Sequence, residues 1–248
     1  MTGPKIYRDT AASYENILHN PLMGYPGVLC DCNREWEEIL PMAVPRFYRK
    51  GDFITFAGKR KHNFSYLKNG FLCCVYSTPS GASRTTMFML GGTIFHEAQT
   101  VSYGVDENNM FLCKTDCQCY EFEGSILYDR NFVMQYPHLM INIVSSFGEK
   151  IIKHSNILNA ICMFDKFTLV CWYILSMARV HGGYSFNPKI SQTDIMNLLG
   201  VKKTTMHRIV NTLKRDGVIE RFTKNLIIIK DVEKLERLAI SSEKDVAG

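Results

Sequence analysis

At 248 residues, with 46% hydrophobic and 21% charged residues and a formal charge of +5, the chain has an ordinary globular composition and room for one large or two modest cores. No apolar run approaches the roughly 18 residues of a membrane span, and the opening MTGPKIYRDT lacks the basic and apolar blocks of a secretory signal, so a cytoplasmic protein with no membrane partner is expected. Residues 166–248 hold 14 Lys and Arg against 8 Asp and Glu, leaving 15 against 16 for residues 1–165; the basic surplus is the footprint of a phosphate-bearing partner, or an ordinary solvated face.

Nine cysteines, an odd count, argue against a complete disulfide framework and for reduced thiols. Cys30 and Cys32, Cys73 and Cys74, and Cys117 and Cys119 come in close pairs, but no C-x-x-C is present. Buried apolar thiols are the favoured reading, with a soft-metal or iron–sulfur site as the alternative.

Pro4, Pro21, Gly24, Pro26 and Gly27 make residues 1–32 an irregular arm, with one short helix expected around residues 11–18. Asn33 then caps a short helix through Leu40, which Pro41 stops. From Phe47 to Phe122 the texture becomes β: segments rich in Phe, Tyr, Thr and Val at residues 46–49, 53–56, 64–67, 71–77, 84–90, 110–114 and 118–123, separated by glycine turns. Strands at this spacing imply a sandwich or rolled barrel. A helix of nine residues is expected at 124–132.

From Tyr136 the apolar positions Met140, Phe147, His154 and Ile161 step by seven, with Ile143, Val144, Ile151 and Leu158 interleaved. The pattern predicts a helix of about 28 residues with a seam to bury, against a second copy of the chain or against the β domain. Gly148 inside it costs about 1 kcal/mol relative to alanine, which points to close approach of a backbone or ligand. A second helix over 166–180 follows the break at Phe164-Asp165, and 184–190 reads as a short strand.

The stretch 190–220, ISQTDIMNLLGVKKTTMHRIVNTLKRDGVIE, reads as a helix-turn-helix. Ser191 is an N-cap for a helix over 192–199 ended by Gly200. A second helix begins near Lys202, with Met206, Ile209, Val210 and Leu213 forming an apolar stripe and Lys203, Thr204, His207 and Arg208 outside it. A hairpin of 218–222 and 226–230, with Lys224 at its turn, makes a wing. Asp231 caps a last helix through Leu238, and the tail from Ser241 is polar.

With this order on the page, the chain over residues 44–232 resembles the Crp-Fnr family of bacterial transcription regulators. The resemblance is strongest in Ile190-Ser191, Asp194-Ile195, Leu199-Gly200-Val201, Thr204 through Ile209, Leu213-Lys214 and Gly217-Val218-Ile219. In the β region Gly51-Asp52, Gly70 and the run from Gly92 to Glu97 look like the family's turns and its glycine-to-glutamate segment. It implies an α+β fold: a cyclic-nucleotide-binding-like β-roll of double-stranded jelly-roll type with the arm (residues 1–132), a long dimerisation helix (133–164) and a winged helix-turn-helix (165–248). It also implies a homodimer on a palindromic site in double-stranded DNA, read by Ser191, Lys202, Lys203, Thr204, Thr205, His207, Arg208 and Lys224, with RNA polymerase as a partner. Where relatives that read G·C carry glutamate, this chain has Thr204, so an A·T-rich site is expected.

The effector region departs from nucleotide-binding relatives. His96 stands where they need glycine, and Glu107-Asn108-Asn109 occupies the place of their phosphate-binding arginine, so cyclic AMP is rejected. A small aromatic or phenolic acid is the leading alternative, held by Phe88, Phe95, His96, Glu97, Phe111 and Phe147, with Lys150 meeting its charge and His154 and Ser155 above it. This resembles the family's halorespiration regulators, which sense chlorinated aromatic acids and have a lysine at this position. No cofactor is expected, although His96, His154 and a cysteine could ligate haem or a metal, and thiol redox switching is a further alternative. A β-barrel metal enzyme is remote, because His62 and His96 lack a paired ligand pattern.

Overall fold

The computed structural model describes residues 21–54, 62–102 and 109–240. The expected helix at 11–18, the end of the strand at 53–56, Glu107 and Asn108, and the tail from 241 lie outside them. Two compact units result, Gly27–Asn156 and Ile157–Gly248, with the residues up to Pro26 counted to the second. Among the described residues no helix is long and apolar enough to cross a membrane.

The first unit contains β1 (Val28–Leu29), β2 (Val44–Tyr48), β3 (Asn63–Asn69), β4 (Phe71–Ser77), β5 (Ser83–Leu90), β6 (Thr93–Phe95), β7 (Asn109–Cys113) and β8 (Cys117–Glu123). They form two four-stranded sheets, ordered β1-β5-β4-β7 and β2-β8-β3-β6. The pleat sends alternate residues to opposite faces. In the second sheet, Leu67, Phe95, Cys117 and Cys119 meet Leu72, Met87, Met89, Phe111 and Cys113 of the first in an inner core. Their neighbours Phe64, Tyr66, Ile94 and Phe122 face outward, against Trp36, Ile39, Phe132, Leu139 and Ile143. This sheet is therefore buried on both faces, and the long helix Pro137–Met163 lies on its outer side through Leu139 and Ile143.

Three local expectations differ from the structure for identifiable reasons. Residues Arg34–Met42 form 3-10 turns that run through Pro41, and Asn33 makes no side-chain cap. Its amide instead sits in a buried polar cluster: Nδ2 donates to Asn142 Oδ1 (2.7 Å), and Oδ1 accepts from the Ile94 amide (3.0 Å) and the Ser146 hydroxyl (3.2 Å). Residues 124–132 split into 3-10 Gly124–Tyr128 and helix Arg130–Gln135, because Asp129 is itself an N-cap, accepting from the amides of Asn131 (2.7 Å) and Phe132 (3.0 Å). The strand expected at 184–190 shrinks to β9 (Ser185–Phe186), since Pro188 follows and Lys189 takes φ +59°.

The heptad seam is also revised. Met140, Ile143 and Phe147 turn toward the outer core, so they are not part of an open seam. The open face carries Ile141 (66% exposed), Val144 (69%), Ile151 (65%) and Leu158 (50%). Ile141, Gly148, Ser155 and Cys162 step by seven, each of the first three placed three residues before Val144, Ile151 and Leu158, which is the a/d spacing of a two-stranded coiled coil. A Cβ built on Gly148 would meet nothing within 4 Å in the protomer.

In the second unit Asp165 caps helix Lys166–His181, its Oδ1 accepting from the Phe167 (2.6 Å) and Thr168 (3.1 Å) amides. Then come β9, helix Gln192–Leu199, helix Lys203–Arg215, β10 (Ile219–Phe222), β11 (Ile227–Ile229) and helix Val232–Leu238. The wing is three-stranded, ordered β10-β11-β9.

Candidate functional site

Two arrangements can carry function. The first is the helical hairpin. Ser191 Oγ accepts from the Asp194 amide (3.1 Å) and donates to Asp194 Oδ2 (2.5 Å), which starts helix Gln192–Leu199. Gly200, at φ +62°, ends it in the left-handed conformation that glycine adopts without strain. Helix Lys203–Arg215 then buries Met206, Ile209, Val210 and Leu213. Its other face exposes Lys203, Thr204, His207 and Arg208, joined by Lys202 at the cap, while Thr205 is half-buried. Lys224 is exposed in the wing turn, where Thr223 Oγ1 accepts from the Leu226 amide (3.0 Å). Ser191 is half-buried, with its hydroxyl engaged as the cap. Gln192, whose Nε2 donates to the Phe222 carbonyl (2.7 Å), ties the first helix to the wing and carried no motif signal.

The second arrangement is a cavity of about 430 Å³ within the first unit. Cys74 of β4, Thr86, Met87 and Met89 of β5, Ala98 and Asn109 line it on one side, and Phe147, Lys150, Ile151, His154 and Ser155 of the long helix on the other. A register shift between Cys74 and Val75 in the β4–β5 ladder lets the consecutive residues Thr86 and Met87 both reach it. Lys150 Nζ donates to the Ile94 carbonyl (2.8 Å) and forms an ion pair with Glu97, whose side chain is 3% exposed. The wall is thus mainly apolar and soft, with one cation already paired.

Phe147, Lys150, His154 and Ser155 therefore line the cavity, and Glu97 joins them through Lys150. Phe95, His96 and Phe111 form an aromatic cluster, the His96 ring centroid lying 4.9 Å from Phe95 and 4.7 Å from Phe111. Phe95 and Phe111 share the inner core with Met87 and Met89. Phe88 does not belong to the site: between two inward methionines the pleat turns it to the other face, 5.2 Å from Phe71. His96 takes φ +70°, so the backbone keeps a conformation natural to glycine at a cost of about 1 kcal/mol. Met87, Met89, Cys74, Thr86, Ala98 and Ile151 join the lining without having been named for it, whereas Asn109 belongs to the segment set in place of the phosphate-binding arginine. Only the alternation along β5 could have signalled its methionines.

Among the described residues, no group of three or more His, Cys, Asp or Glu converges on a metal-ion site. All nine cysteines are free thiols, and Cys162 alone is exposed. Burial pushes Cys32 up to about 11, and Cys30, Cys113 and Cys171 up to about 12, so these thiols stay protonated and unreactive near neutral pH.

Residues 170–238 match the model of the Crp-like helix-turn-helix domain. No curated protein matches the sequence. Among solved structures, OCPA-complexed CprK superposes with a TM-score of 0.68 at 15% identity, covering 81% of this chain and 92% of that one. A CooA mutant from Carboxydothermus hydrogenoformans gives 0.68 at 17% identity, covering 85% and 100%. FixK2 from Bradyrhizobium japonicum gives 0.63 at 15%, covering 81% and 98%.

Proposed function

From a chain that has the Crp-Fnr fold and ends in a Crp-like helix-turn-helix domain, we propose a sequence-specific DNA-binding transcription regulator controlled by a small effector other than cyclic AMP. The observation that carries the DNA-binding reading is the face of Lys202, Lys203, Thr204, His207 and Arg208, exposed on a helix whose opposite stripe is buried. Two copies joined along the long helix would present two such helices to successive major grooves, about 34 Å apart on a palindrome. RNA polymerase contact belongs to the same reading.

Thr204 offers a methyl and a hydroxyl but no carboxylate, which suits thymine methyls and backbone more than cytosine, and Arg208 suits guanine or phosphate. Selection of binding duplexes from a random pool is expected to recover an A·T-rich palindrome; recovery of a G·C-defined half-site would overturn the specificity. Arg208→Ala is expected to weaken binding to the selected site by about tenfold to a hundredfold, measured by fluorescence anisotropy at fixed salt.

For the effector, the size and apolar wall of the cavity suit a single aromatic ring, which sulfur-bearing Met87 and Met89 contact well. A phenolic or aromatic acid would compete with Glu97 for the Lys150 ammonium. Calorimetric titration with phenolic acids and halogenated phenols tests this reading, and absence of binding across the series ends it. The double variant Lys150→Met, Glu97→Gln removes the ion pair without leaving a buried charge, and is expected to weaken acid binding by about tenfold or more.

A further inference from the structure

The ion pair beside the cavity sets a condition on the charge of anything that enters. Every lining residue belongs to the unit Gly27–Asn156, so the condition arises within one unit. Glu97 opens the short helix Glu97–Val101, and its side chain is 3% exposed. Among the described residues Lys150 is the partner of its carboxylate, by ion pair and hydrogen bond alike.

The other titratable groups around Glu97 are engaged elsewhere. His96, the residue before it, packs its ring against Phe95 and Phe111. The helix rests on β3 and on the turn Gly124–Tyr128. There Tyr66 donates to Glu37 (2.7 Å), the Lys68 ammonium lies 5.8 Å from the Tyr120 ring centroid, and the Tyr128 hydroxyl donates to the Val101 carbonyl (3.5 Å). On the long helix, Lys153 is desolvated beside Glu149, Cys30 and Cys32, and His154 lines the cavity.

An anion that takes the Lys150 ammonium therefore strands a carboxylate in a nearly dry site, and breaking one side of a buried pair is strongly unfavourable. A proton relieves it. Placing a proton on an ordinary glutamate at pH 7 carries a penalty of about 500-fold, whereas buried, unpaired glutamates are documented to stay protonated up to about pH 8 or 9. Burial is the larger effect, so the neutral carboxyl wins.

We propose that Glu97 is the proton acceptor of the effector cavity, so that an acid is taken up only together with a proton: the ligand anion occupies Lys150 and Glu97 becomes a neutral carboxylic acid. The inference rests on the effector reading above and says which form of the acid the site selects. An aromatic carboxylate, already ionised at pH 7, must draw that proton from solvent. An un-ionised phenol brings its own, passing it to Glu97 as its oxygen reaches Lys150. The cavity keeps the same net charge before and after binding, and its preference for phenols over carboxylates grows as pH rises.

Calorimetric titration of the full chain with chlorobenzoates and monochlorophenols, at about pH 7.5 in buffers of differing ionisation enthalpy, counts the protons. About one proton is expected to be taken up per chlorobenzoate and about none per chlorophenol. Because the chlorobenzoate complex holds one proton more than its separate parts, raising the pH opposes binding, and affinity is expected to fall about tenfold per pH unit between about pH 6.5 and 8. In Glu97→Gln the amide has no proton to gain, so the uptake should vanish and the slope flatten; the wild-type count stands by itself if that variant fails to fold. His154→Gln removes the other titratable group of the lining beside Lys150 and is expected to keep the uptake. Chlorobenzoate binding without proton uptake in the wild type, uptake that survives Glu97→Gln, or uptake lost in His154→Gln would each overturn the assignment while leaving the effector reading in place. Binding of neither series removes both.

Discussion

Replacing Leu158 by glutamate is expected to leave the protomer folded and to convert a dimer into a monomer that no longer holds a palindromic site. Leu158 is 50% exposed in the single chain, so a carboxylate there is solvated and costs the fold little. In the proposed seam it would face its own copy, and two desolvated like charges would cost about 3 kcal/mol or more, over a hundredfold in dimer dissociation. Sedimentation at micromolar protein reads the outcome. Val144→Glu, 69% exposed, should behave the same way, whereas an unchanged dimer in both variants would place the interface elsewhere. Cys162 supplies an independent reading: at an a position of a parallel pair it faces the partner's copy, so mild oxidation is expected to give a covalent dimer that Cys162→Ser abolishes.

Asn33→Ala is expected to be the most destabilising single change in the β-roll. It deprives the Ile94 amide, the Asn142 amide group and the Ser146 hydroxyl of a partner at once, all in buried surroundings. Several buried polar groups left unsatisfied cost about 3 kcal/mol or more together. Urea unfolding followed by the fluorescence of Trp36, which is fully buried in the same unit, measures it; a loss below about 1 kcal/mol would show that water replaces the side chain.

Asn33 also illustrates what was legible in the sequence and what was not. Helix Gln192–Leu199, strand Phe71–Ser77 and the Asp231 cap of the last helix all follow from local chemistry: a capping side chain, a glycine, a period of two or 3.6. Asn33 has the same local credentials as a cap, yet partners about 60 and 110 residues away outbid the helix for its amide. Which apolar residues of the long helix share a face is hidden in the sequence for a related reason. A helix apolar on two faces shows several overlapping seven-residue repeats, and only the packed sheet reveals that Met140, Ile143 and Phe147 belong to one face and Val144 and Leu158 to the other.

The cavity was half legible. The helix side, Phe147, Lys150, His154 and Ser155, lay on a recognisable element at a recognisable height. On the strand side Phe88, Phe95 and Phe111 are the conspicuous residues of the sequence. The pleat instead offers Met87 and Met89, and Lys150 is already held by Glu97.

Gly148 falls between Phe147 and Lys150, so the softest point of the long helix stands level with the cavity wall. From there to Met163 the helix is a rod of about 22 Å. A bend of about 10° at Gly148 would carry its far end sideways by about 4 Å, roughly the width of one side chain. On the proposed effector reading, a ligand pressing on this wall would meet least resistance at Gly148, the one position of the open seven-residue series without a side chain.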